Sequence, residues 1–172
     1  MRNTDNRAID DLVFDCCREL FSSYRIEMRP LSRTDFPATE ELTLCGVLGF
    51  GGQQMRGALV LATTREPLEL TNPENLGSPR DWVCELANQL MGRVKNRLLG
   101  QGVQVHLATP AGLSGENLTP TPAKLRAPQI FGTPNGYVCV WIDCEFADGF
   151  QLPREPGPAA VDAIPEGETI LF

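Results

Sequence analysis

The spacing of hydrophobic positions changes several times along the chain, and each change predicts an element. From Asn6 to Met28, Ile9, Leu12, Val13, Cys16, Leu20, Phe21 and Tyr24 recur at helical intervals. A polar connector with Pro30 and Pro37 follows. Leu42 to Phe50 and Met55 to Thr63 are dense in apolar residues and meet at Gly51 and Gly52, which predicts a hairpin. A Pro- and Asn-rich segment from Pro67 to Pro79 leads into a second helical series ending near Gly100 or Gly102. Beyond it VQVHLA, Val103 to Ala108, alternates, with the valines and Leu107 on one face and Gln104 and His106 on the other. A Gly/Pro/Thr loop to about Pro122 precedes two further strands, Leu125 to Phe131 and Tyr137 to Phe146, turning at Pro134, Asn135 and Gly136. In the last strand Val138, Val140, Ile142, Cys144 and Phe146 share one face and Asp143 and Glu145 the other, so the sheet is expected to have one wet side.

The order helix, two strands, helix, three strands reads as one unit used twice, an α+β domain over residues 1–150. Residues 151–172 form a Pro-rich tail. Its stretch from Pro153 to Pro165 predicts no packed structure, and its end, ETILF, is expected to dock on its own domain or to add a strand to a partner's sheet edge.

The second helix carries its own punctuation. Ser78 is a good N-cap, Pro79 suits the first helical position, and Asp81 completes a capping pattern. Lys95 and Arg97 lie towards the negative C-terminal end. At about 100° per residue, Val83, Ala87, Leu90, Val94 and Leu98 form an apolar stripe, and Asp81, Glu85, Asn88 and Gly92 fall nearly opposite. Polar residues on such a face usually serve solvation alone. Gly92 is harder to dismiss, because glycine inside a helix costs about 1 kcal/mol relative to alanine. Removing a side chain there lets a crossing element of the same molecule or another protein's backbone come close.

The 172 residues suffice for one sizeable core. A formal charge of -7 disfavours a nucleic-acid groove or an anionic membrane surface, both of which call for clustered Lys and Arg. There is no apolar run of membrane-spanning length, and the polar start MRNTDNRAIDD lacks a signal-peptide core, so the cytoplasm is the expected location. Six cysteines without a CxxC and a lone histidine, His106, read as reduced, mostly buried thiols rather than a disulfide framework or zinc site. The usual nucleophile, zinc and nucleotide motifs are missing, so a self-contained hydrolase is disfavoured.

The ordered set Asp81-x3-Glu85-x2-Asn88, followed after the helix and a strand by Pro110 in LATPAGLSG, resembles the signature of the CheC/CheX/FliY chemotaxis phosphatases. The run ELANQLMGRVKNRLLGQGVQVHLATPAGLSG resembles the CheX branch most. Pro110 itself reads as a loop-shaping residue, its interval from Asn88 being one residue shorter than the family's. The resemblance implies a CheC-like fold: two pseudo-repeated helix-plus-strands units forming a largely antiparallel sheet with long helices on one face. It implies a phosphatase acting on the aspartyl phosphate of a CheY-like response regulator, with Asn88 positioning water and Glu85 pairing with the regulator's active-site lysine. Asp81, Gly92, Gln89 and Lys95 would contact the partner. No cofactor is expected on this chain, Mg²⁺ being expected on the regulator, and a homodimer joined through sheet edges is implied. In the first helix Asp11, Asp15 and Arg18 stand at the same offsets, so Arg18 would replace the essential amide and leave one active surface. The alternative is an adaptor that binds a regulator or flagellar-switch component without catalysis.

Overall fold

The computed structural model describes residues 2–35, 42–72, 74–120 and 127–153. The tail beyond residue 153, including ETILF, lies outside them, as do Pro37, Pro122 and the expected strand start at Leu125.

Helix α1 runs over Arg2–Ser23. Its end is a Schellman motif: the Ile26 N–H donates to the Phe21 carbonyl at 3.0 Å and the Arg25 N–H to that of Ser22 at 2.9 Å. Arg25 fills the left-handed position, φ 62°, where glycine is usual. Strand β1 (Arg29–Leu31) follows, then the hairpin β2 (Leu44–Gly51) and β3 (Met55–Thr63), paired from Leu44↔Thr63 to Gly51↔Arg56. A short helix, α2 (Arg65–Thr71), occupies part of the expected loop. Pro67 reads as a breaker in the sequence, yet it sits in the first turn, where a missing N–H leaves no bond unmade. Thr71 accepts a 2.9 Å hydrogen bond from the Trp82 indole, which ties α2 to α3 (Pro79–Gly100).

Strands β4 (His106–Leu107), β5 (Ala111–Ser114), β6 (Gln129–Thr133) and β7 (Gly136–Phe146) complete a sheet ordered β1-β6-β7-β3-β2-β4, with β5 also on β2 and every pairing antiparallel. β4 and β5 share one edge of β2. Leu107 pairs with Phe50 but Ala111 with Val47, so this edge strand contains one extra residue, a bulge at Thr109 and Pro110. Proline is tolerated there because the ladder is already interrupted. β5 escapes sequence reading because AGLS is mostly exposed and carries no alternation.

Both long helices lie on one face of the sheet. Ile9, Val13, Cys16 and Leu20 of α1, with Val83, Leu86, Leu90, Val94 and Leu98 of α3, close over Leu48, Leu59, Leu61, Val138 and Val140. Each fully buried leucine or valine contributes about 1.5–3 kcal/mol to such a core. The expectation of one wet side needs correction. Cys45, Ala62, Ile130, Cys139 and Trp141 form a second buried cluster on the opposite face, which becomes wetter towards the far end of β7, where Glu145 and its cross-strand neighbour Arg56 are exposed. The run Tyr137 to Ile142 is apolar at odd and even positions alike, the pattern of a strand covered on both sides.

Candidate functional site

Helix α3 is placed by its cap and by the sheet beneath it. The Ser78 hydroxyl accepts from the Asp81 N–H at 3.2 Å and donates to its carboxylate at 2.6 Å, while the Ser78 N–H donates to the same carboxylate at 3.2 Å. This is the reciprocal capping box the sequence predicts. The Ser78 hydroxyl first, and then its N–H, hold the Asp81 carboxyl below the ordinary carboxylate value. Beneath the next turn Gly46 of β2 lets the helix settle: a Cβ there would stand 2.6 Å from the Val83 carbonyl oxygen and 3.0 Å from the Ala87 Cβ. Gly112, its cross-strand partner on β5, supports the first turn in the same way, a Cβ there meeting the Arg80 carbonyl oxygen at 2.6 Å and the Cys84 sulfur at 2.7 Å.

Seated so, α3 buries Val83, Ala87, Leu90, Val94 and Leu98 and turns the opposite face outward. Asp81 is exposed, and Glu85, Asn88, Gln89, Gly92 and Lys95 are half-buried along it. The Asn88 carboxamide makes no hydrogen bond to a described residue, and neither of its polar atoms is among the buried unpaired ones, so both meet solvent. A Cβ at Gly92 would meet nothing within 4 Å. The glycine is therefore not there to admit a described element of its own molecule, one of the two explanations the sequence left open.

Glu85 is held from one side. Its Oε1 accepts a 2.9 Å hydrogen bond from the Gln89 amide, whose own oxygen accepts at 2.8 Å from the Tyr24 hydroxyl. Gln89, expected among the partner-contacting residues, thus has both ends of its amide engaged within the chain. Tyr24 reads in the sequence as one more apolar position of α1, and nothing local signals a polar contact to a residue 65 positions away.

The matching face of α1 is built differently. Asp15 and Glu19 both pair with Arg97 of α3, the first at 3.8 Å, and the Arg18 guanidinium lies 5.9 Å from the Phe14 ring centre. These carboxylates knit the two helices together. Arg18, which stands at the amide's offset, has no carbonyl with which to accept from water.

All six cysteines are unpaired, five of them buried and Cys84 half-buried. Burial pushes the thiols of Cys16 and Cys45 up to about 11. Among the described residues no group of three or more His, Cys, Asp or Glu is arranged to hold a metal ion. No helix of the described residues is long and apolar enough to cross a membrane.

Comparison with known proteins bears on this helix and sheet directly. No curated protein matches the chain significantly. Among solved structures, a CheC-like superfamily protein from Shewanella sp. PV-4 is 22% identical with a TM-score of 0.66, the match covering 80% of this chain and 97% of that one. The chemotaxis protein CheX of Vibrio vulnificus is 20% identical with a TM-score of 0.67, covering 80% and 96%. A CheX from Borrelia burgdorferi, seen in a CheX–CheY–BeF3–Mg²⁺ complex, is 17% identical with a TM-score of 0.55, covering 78% and 96%. These likenesses show the CheC-like fold. The sequence pattern of the family described as chemotaxis phosphatase CheX matches residues 44–131, from β2 through α3 to β6, just over half of the chain. The chain belongs to the CheX family of chemotaxis phosphatases.

Proposed function

We propose that this protein accelerates hydrolysis of the aspartyl phosphate on a CheY-like response regulator, docking through the outward face of α3, in the cytoplasm. The observation that carries the reading is the Asn88 carboxamide, solvent-facing and without a hydrogen-bond partner among the described residues. A CheY-like partner is further supported by family membership and by the complex formed by the similar Borrelia protein.

The regulator's Mg²⁺ and lysine neutralise the phosphoryl oxygens, so the phosphatase has chiefly to hold water in line with phosphorus. A carboxamide suits that task. The Asn88 carbonyl accepts from the attacking water while its NH₂ donates to the phosphoryl group, and no negative charge enters an anionic site. Glu85 pairs with the regulator's lysine and sets the register of docking. Asp81, its carboxylate engaged in the cap, fixes the start of the helix; Gly92 gives clearance, and Lys95 borders the docked surface.

The test is the lifetime of the phosphorylated regulator. Asn88→Ala should leave the fold intact and cut stimulated dephosphorylation about 100-fold, equivalent to about 2.7 kcal/mol in the barrier. Glu85→Ala should chiefly weaken docking. An unchanged rate with Asn88→Ala would refute the assignment, and regulator binding without a shortened lifetime would establish an adaptor instead.

A further inference from the structure

We infer that Tyr24 and Gln89 are positioning residues for Glu85: a two-step hydrogen-bond chain from the capped end of α1 holds the Glu85 carboxylate in the orientation that meets the regulator's cation. The inference rests on the docking role proposed above for Glu85. Three observations carry it. The chain is directional, the Tyr24 hydroxyl donating to the Gln89 oxygen at 2.8 Å and the Gln89 NH₂ to Glu85 Oε1 at 2.9 Å. A primary amide accepts at its oxygen and donates from its NH₂, so Gln89 passes the tyrosine's orientation on to a carboxylate without adding charge. The chain is also anchored. Tyr24 is the first residue past α1, between Ser23 and the left-handed Arg25, and its own N–H bonds the Phe21 carbonyl at 3.0 Å. Finally, the chain stops halfway across the carboxylate: Glu85 Oε2 has no hydrogen-bond partner among the described residues and stays open to an incoming ammonium.

A glutamate side chain free on a helix surface samples several rotamers, and fixing it before docking removes part of the ordering cost of association. The contribution therefore falls on encounter and binding and leaves the chemical step alone. The experiment uses the full chain and the CheY-like regulator whose dephosphorylation the wild-type chain accelerates, phosphorylated with a small-molecule acyl phosphate. Tyr24→Phe removes a single oxygen and Gln89→Leu the whole relay. Each should raise KM about three- to ten-fold and leave kcat within about twofold, with the thermal transition of Tyr24→Phe close to that of the wild type. Combined with Glu85→Ala, Tyr24→Phe should add nothing, because the group it positions is gone.

An unchanged KM in Tyr24→Phe overturns the relay, and so does an equal penalty with and without Glu85. A fall in kcat alone would also overturn it, placing Tyr24 in the chemical step. If the wild-type chain accelerates no regulator's dephosphorylation, the proposed function itself fails and this inference with it, an outcome distinct from the other three.

Discussion

Gly92 lies one turn beyond Asn88 on the outward face of α3, and at this residue the free molecule and its proposed complex make opposite demands. In the free protein a Cβ there meets nothing within 4 Å, so Gly92→Ala should stabilise the helix by about 1 kcal/mol through propensity alone. For a domain of this size that is a rise of about 2–4 °C in the midpoint of thermal unfolding. If the glycine gives clearance to a docked regulator, the same substitution should slow stimulated dephosphorylation, and the bulkier Gly92→Gln should slow it further. Melting curves and phosphate lifetimes measured on the same samples decide the matter. A variant that melts higher and works as fast as the wild type would remove any docking role from Gly92. Such a trade between stability and activity is expected only where a residue serves a surface rather than a core.

The position of α3 depends on the floor beneath it as much as on its own sequence. Gly46 and Gly112 are cross-strand neighbours, and a Cβ on either would enter the backbone of the first turns of α3. Gly46→Ala would press on the Val83 carbonyl oxygen, which cannot swing aside as a flexible side chain could. We expect a loss of about 1–3 kcal/mol, read as a lower urea midpoint at unchanged slope; full retention of stability would mean that the helix can lift off its seat. The features of α3 legible in the sequence are those set by near neighbours: the capping box at Ser78 and Asp81, the apolar stripe from Val83 to Leu98, and the outward set around Glu85 and Asn88. Each depends on residues three or four apart. What stayed hidden depends on other elements. The glycine seat needs the register of β2 with β5, and β5 has no apolar alternation to announce it. Tyr24 reaches Gln89 only because α1 and α3 pack side by side, and α2 was masked by a proline that its first turn tolerates.

At the scale of the whole molecule the open question is how the sheet ends. The sheet's apolar far side, which the run Tyr137 to Ile142 already carries in the sequence, is extended by strand pairing, which sets Cys45 and Ala62 opposite one another and Ala62 opposite Cys139. Its edges are β1, three residues including Pro30, and the β4–β5 strand, broken at Pro110. Short strands and prolines are how natural sheets limit unwanted pairing, since each proline removes a donor a new strand would need. A homodimer joined through sheet edges, as the family resemblance implies, would here find few continuous backbone groups to pair with. We therefore expect the dimer to be reversible, dissociating at about micromolar concentration as small interfaces do. Light scattering over a dilution series should show the mass falling from twice 18.9 kDa towards 18.9 kDa. A mass fixed at the dimer value down to nanomolar concentration would mean that a larger surface than either edge holds the protomers together. A mass fixed at 18.9 kDa throughout would mean that the bulge at Pro110 and the shortness of β1 suffice to keep the sheet single.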